Sequence, residues 1–175
     1  MDSTQEAGIN LRLSNRRLSR KKTLQVIDRD RKMPESADGK LMRMLAYWQS
    51  LCTCGRLPER TAIDPLSIPE LLPHILLLDV EKNDFRFRLV GETVNQRYGG
   101  HIKGQSFKEL LSGEILAETM EEHICCIRSH APVFTRNTIE TIDSNDCKLY
   151  QRLILPLSDS GLDVQSIAGV MHFET

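Results

Sequence analysis

Aromatic residues are scarce in this chain of 175 residues: five Phe, three Tyr and one Trp amount to 5%. With hydrophobic residues at 40%, one core is within reach, but its filling must be mostly aliphatic. Net charge is nearly absent as well, −1 at pH 7. That argues against a surface that binds polyanions as a whole, so nucleic acid is not an expected partner. No apolar run reaches the roughly 18 to 20 residues that a transmembrane helix needs. The first residues lack an apolar stretch followed by a small-residue cleavage site. A cytoplasmic location is therefore expected. Five cysteines, at 52, 54, 125, 126 and 147, are odd in number and crowd together. Such spacing makes no disulfide framework. Neither Cys52-Thr53-Cys54 nor Cys125-Cys126 suits zinc, whose ligand pairs need longer spacers, and no metal is expected. Dinucleotide and Walker glycine patterns are missing too, which leaves Gly91, Gly99 and Gly100 as turn residues.

What is present centres on residues 74–100, HILLLDVEKNDFRFRLVGETVNQRYGG. The aliphatic run Ile75 to Val80 predicts a well-buried strand, broken by the turn chemistry of Asn83-Asp84. Phe85-Arg86-Phe87-Arg88-Leu89 alternates apolar with basic residues and predicts a strand with one buried face. Gly91 ends that strand, and a short helical turn through Val94 and Tyr98 closes at Gly99-Gly100.

Before this stretch the chain changes character twice. Residues 1–39 contain NRRLSRKKTLQVIDRDRK, where basic residues crowd and apolar ones are isolated, and read as a flexible basic arm. The sharper alternative is an arm that attracts nucleic acid, a membrane surface or an acidic protein. Residues 40–73 hold a leading helix and a connector. Leu41, Met44, Leu45, Trp48 and Leu51 recur at helical spacing, with Asp38 as N-cap and Gly55 as a C-terminal glycine. That stripe fits either its own sheet or a second copy of the chain. The connector, LPERTAIDPLSIPELLP, holds four of the seven prolines and is stiff. Ser67 and Glu70 have capping-box spacing, Asp64-Pro65 suits an earlier turn, and Arg60 with Asp64 suggests a structural salt link.

Beyond residue 100 a short helix is predicted over Ser106 to Leu111, then a longer one from Glu114. The longer helix carries Leu116, Met120, His123, Ile124 and Ile127 on one face and Glu114, Glu118, Glu121 and Glu122 mostly on the other. His130-Ala131-Pro132 ends it. Val133 to Ile142, Cys147 to Leu157 and Val164 to Phe173 read as three strands of a meander, separated by the turns 143–146 and 158–161. Because Ile75 to Val80 and Ala168 to Phe173 are both apolar, they are expected side by side in the middle of the sheet.

This order of elements resembles that of the PAS superfamily, and more narrowly the small single-domain PAS-fold proteins of alphaproteobacteria. The resemblance is carried by Trp48, Leu57-Pro58 with Arg60, Asp64-Pro65 and Leu72-Pro73-His74-Ile75. It continues through Phe87-Arg88-Leu89-Val90-Gly91-Glu92-Thr93 and Leu155-Pro156-Leu157-Ser158, and covers about residues 41–174. It implies an α+β fold: a five-stranded antiparallel sheet with helices over one face, preceded by an N-terminal helix, the PAS domain occupying 74–175. It also implies a sensory or regulatory module with a signalling protein as partner, a homodimer through Leu41, Met44, Leu45, Trp48 and Leu51, and no catalytic residue.

A small ligand, if bound, is expected near Phe87, Tyr98, Phe107, Met120 and His123. No cofactor is expected. Residues 104–111 lack the cysteine of flavin photosensors, and haem has only the helical histidines His123 and His130 in its favour. The competing classes are a small enzyme centred on His123 with Glu122 or Cys126, and a binder of anionic surfaces through the basic arm.

Overall fold

The computed structural model describes residues 23–27, 32–140 and 147–174. The basic run 15–22 and the expected turn 143–146 lie outside them. The elements are β1 (Thr23–Val26), α1 (Gly39–Leu51), β2 (Ile75–Glu81), β3 (Asp84–Val90), α2 (Glu92–Tyr98), α3 (Phe107–Leu110), α4 (Gly113–Ser129), β4 (Val133–Glu140), β5 (Cys147–Leu157) and β6 (Ser166–Phe173). One antiparallel sheet has the order β1-β4-β5-β6-β2-β3. The first expected strand does lie against the last, Leu76 opposite Gly169 and Leu78 opposite Ile167.

Five of the six strands are those the sequence predicts. The sixth, β1, comes from the stretch expected to be a flexible arm. It pairs with β4, Val26 opposite Val133, and Ile27 N donates to Pro132 O at 2.7 Å. Ile27 and Ala37 are buried. The arm as bounded at 39 therefore needs correcting: its described end is part of the fold, because Leu24, Val26 and Ile27 find apolar neighbours across the sheet.

Helices cover both faces of the sheet, not one. Alternation along the strands sends Leu76, Leu78, Ile154, Ile167 and Met171 towards α2, α3 and α4. Leu153, Leu155, Leu157, Ala168 and Val170 face α1 and the proline-rich connector. A sheet buried on both faces explains why β5 and β6 read as near-continuous apolar runs. It also reassigns the stripe on α1. Leu41, Met44, Leu45 and Trp48 are 0%, 1%, 8% and 7% exposed against the chain's own sheet, and Trp48 Nε1 donates to Pro156 O at 3.0 Å. Those four side chains present no apolar surface to a second copy, which corrects the interface expected of them; Leu51 is half-buried at the helix end. The same packing removes the boundary at 74, since α1 and the connector build one of the two cores.

Local chemistry accounts for the joints. Asp38 caps α1, its side chain accepting from Lys40 N, and Asp64 accepts from Leu66 N as the Asp-Pro pair predicts. Ser67 forms no capping box: its hydroxyl donates to Asp64 Oδ2, and Glu70 pairs with Arg43 at 2.6 Å. Arg60 turns to Asp79, 3.2 Å away, rather than to Asp64. Gly91 is fixed by crowding, since a Cβ there would stand 2.3 Å from Leu72 O and 2.4 Å from Pro73 C. The Leu72-Pro73 segment thus packs backbone to backbone on the β3–α2 corner. A bulge at Arg88 ends the alternation of β3, so Phe85 and Phe87 stay inside while Leu89 is exposed.

Candidate functional site: a sealed aromatic and ionic interior

Between the sheet and α2–α4 lies the region where a ligand was expected. β3 contributes Phe85 and Phe87; the capping box Ser106–Glu109 sets α3 so that Phe107 points between them. α4 brings Thr119, Glu122, His123 and Cys126, spaced three and four residues apart, onto its buried face. The ring centroids of Phe107 and His123 are 4.8 Å apart, Phe85 and His123 5.2 Å, and Phe87 and Phe107 5.3 Å. Phe87 meets Tyr98 edge-on at 6.2 Å. Met120 packs half-buried on the same cluster. All five residues singled out for a ligand are therefore brought together, and their side chains occupy the space between the layers.

The deeper half of this interior is ionic. Arg152 of β5 donates to the Glu122 carboxylate, and both side chains are almost fully buried, at 3% and 1% exposure. Asn137 Nδ2 donates to Glu122 Oε1 at 2.9 Å and to the Tyr150 hydroxyl at 3.2 Å. The Arg152 guanidinium lies 5.7 Å from the Tyr150 ring centroid. Burial works against the Arg152 charge, but Glu122 and the two tyrosines more than offset it, so the guanidinium holds its proton more firmly than usual. Burial also pushes the Tyr98 phenol up to about 12.

The interior histidine is neutral. Burial, and then Arg152, hold His123 well below the usual imidazole range. Its Nδ1 donates to Thr119 O at 2.8 Å, which leaves the lone pair on Nε2, without a partner among the described residues. Free imidazole nitrogen is the right donor for haem iron. Yet ring contacts of 4.8 to 5.3 Å are direct packing, and a planar macrocycle could enter only by displacing Phe85 or Phe107. The residues do not fit haem. His130, the other candidate, caps α4 at φ 50° and contacts Leu162 O at 3.1 Å.

Sequence reasoning placed Glu122 on the solvent side of α4, and the structure buries it. Thr119, Glu122, His123 and Cys126 form a face that hydropathy alone does not mark as internal. The available signal was Arg152, a cation in the middle of the apolar strand β5 that needs an internal anion.

An antiparallel sheet with a helical layer closing over an aromatic interior is the architecture of small sensory modules. Residues 37–172 match the PAS domain family, and the chain belongs to that family. Its fold is similar to that of an RNA-binding light-oxygen-voltage receptor, with a TM-score of 0.51 and 13% identity over 88% of this chain. The chain spans 38% of that receptor's length, so the likeness concerns the fold alone. No curated protein matches this chain. No described helix is long and apolar enough to cross a membrane.

Proposed function

We propose that the chain is a cytoplasmic sensory or regulatory PAS module that works through contact with a signalling protein, without catalysis of its own. The observation that carries this reading is the burial of every candidate catalytic group in the interior. Glu122 is held by Arg152 and Asn137, and His123 is bonded to Thr119 O beneath aromatic rings. The Cys126 thiol is fully buried, donates to Ile154 O at 3.8 Å, and is pushed well above its usual range by burial and then Cys125. A thiol so held supplies no thiolate. These groups stabilise the domain, and the outer surfaces carry its signal.

The basic segment 15–22 supports a second, weaker reading as an anionic-surface contact, distinguished by steep loss of binding with salt. Affinity capture with the tagged chain tests the main reading. A protein partner should be retained by His123→Ala and lost by Gly91→Ala, which breaks the β3–α2 corner. Substrate turnover that disappears in His123→Ala, or a stoichiometric visible chromophore in the purified protein, would overturn it.

A further inference from the structure

A second constellation lies outside the interior, where two motifs of the family resemblance meet. Ser158 N, from Leu155-Pro156-Leu157-Ser158, donates to Pro58 O at 2.9 Å, and Arg60 N donates to Asp159 Oδ1 at 3.0 Å. Arg56, Glu59 and Thr61 from residues 51–62 and Ser158, Asp159 and Ser160 from residues 158–161 line a hollow of about 400 Å³. That volume falls in the range of about 300 to 1,000 Å³ typical of small-molecule sites.

We infer that this hollow is a binding site for a small zwitterion of amino-acid type, a carboxylate and an ammonium on one short frame. Cys54 at φ 50° and Gly55 at φ 75° form a tight turn in which Arg56 N bonds to Thr53 O at 2.9 Å, and Arg56 after this turn lines the hollow. Arg56 makes no ion pair among the described residues, although it lines a cavity with two carboxylates. Ser158 is 1% exposed, and its hydroxyl has no hydrogen-bond partner among the described residues. A buried hydroxyl of that kind is costly unless something answers it. Ser160 Oγ accepts from Leu162 N, Asp163 N and Gln165 Nε2, so the loop is fixed and its O–H proton remains available to donate.

The acceptors decide the class. Asp159 accepts from Arg60 N and Glu59 from the Thr61 hydroxyl, each through one oxygen, and both residues line the hollow. One guanidinium against two carboxylates disfavours a phosphate dianion and suits a ligand that carries both signs. Arg56, Ser158 and Ser160 would take its carboxylate, and Asp159 with Glu59 its ammonium. Occupancy here is independent of any partner bound elsewhere, so failure of this site leaves the partner reading intact.

The test uses the full chain, with each of the common amino acids at millimolar concentration and with acetate, a simple alkylamine and inorganic phosphate as controls. Thermal shift and titration calorimetry read the outcome. At least one amino acid should raise the melting temperature, and its affinity should fall about tenfold or more in Arg56→Gln, where a charge-assisted bond is lost. Ser158→Ala should weaken binding while melting no lower than the wild type in the absence of ligand. No shift with any amino acid, an equal shift with acetate or phosphate, or binding unchanged in both variants would each overturn the assignment.

Discussion

The two faces of one sheet are stabilised by different chemistry. The face under α1 is mostly aliphatic: Leu41, Leu153, Leu155, Leu157 and Val170 are all 0% exposed, with Trp48 bonded to Pro156 O and Asp38 N to the Gln151 side chain. The face under α4 encloses aromatic rings and an ion pair with its satellites Asn137 and Tyr150. Aliphatic packing tolerates change in proportion to the volume removed. A buried charge network is all or nothing, because one missing member strands the other in a low dielectric. On the second face a small local change therefore has a large consequence for stability.

The largest expected effect breaks the α1 face. Leu45→Ala with Trp48→Ala removes two anchors costing about 2 to 5 and 3 to 5 kcal/mol. Their sum approaches the about 5 to 15 kcal/mol that holds a typical domain together. The variant should unfold, seen as lost far-ultraviolet dichroism at 25 °C. A folded monomer by sedimentation, with wild-type stability, would instead mean that α1 serves an interface and not the sheet.

Next in size is the ion pair. Glu122→Ala or Arg152→Met alone should each cost about 3 to 5 kcal/mol in urea unfolding, because the remaining charge has nowhere to go. The double variant Glu122→Leu, Arg152→Met should recover most of that loss or exceed the wild type by about 1 to 4 kcal/mol. Single variants that cost under about 1 kcal/mol, the level of exposed pairs, would show that water reaches the pair.

These two faces were unequally legible. The hairpin at 74–100, the three closing strands and the α1 stripe follow from periodicity, because apolar residues mark a buried face by repetition. That Phe87, Tyr98, Phe107, Met120 and His123 would lie together followed from the arrangement of sheet and helices that the family resemblance implies, not from periodicity. Periodicity could not say that α1 lies on the far face, since a stripe records burial and not its cover. It missed β1, whose four residues TLQV sit among basic neighbours and gain their place from pairing with β4. Glu122–Arg152 was only half legible: Arg152 stands out as a cation within apolar β5, but Glu122 among its acidic neighbours reads as surface. Only their meeting across α4 and β5, 30 positions apart, makes burial affordable.

Acid should separate the faces further. An unfolded histidine takes its proton below about pH 6.5, whereas His123 stays neutral to well below that, so the unfolded state binds more protons in between. Stability should therefore fall as pH drops below about 6.5, by about 1.4 kcal/mol per unit for this one group, until the folded pKa is reached. His74, lowered by burial and then by Lys40 and His172, adds in the same direction. His123→Phe should flatten the slope measured by urea midpoints between pH 7 and 5.5. An unchanged slope would mean that His123 is protonated in the fold.

The smallest effect contrasts two buried serines, and its sign matters more than its size. Ser106, 2% exposed, uses its hydroxyl: Oγ accepts Glu109 N at the start of α3, while Glu109 accepts Ser106 N at 2.6 Å. Ser106→Ala should destabilise by about 1 kcal/mol, the usual value of a lost N-cap. Ser158 is equally buried, but its backbone alone is bonded, through Pro58 O, and its hydroxyl finds no partner among the described residues. Burying such a group costs about 1 to 3 kcal/mol, and Ser158→Ala relieves that cost at the loss of one atom from the packing. A gain of about 1 kcal/mol is expected in the urea midpoint without added ligand. The two alanine variants should thus move in opposite directions from the same chemical change. Were Ser158→Ala also destabilising, its hydroxyl would already be satisfied in the folded chain.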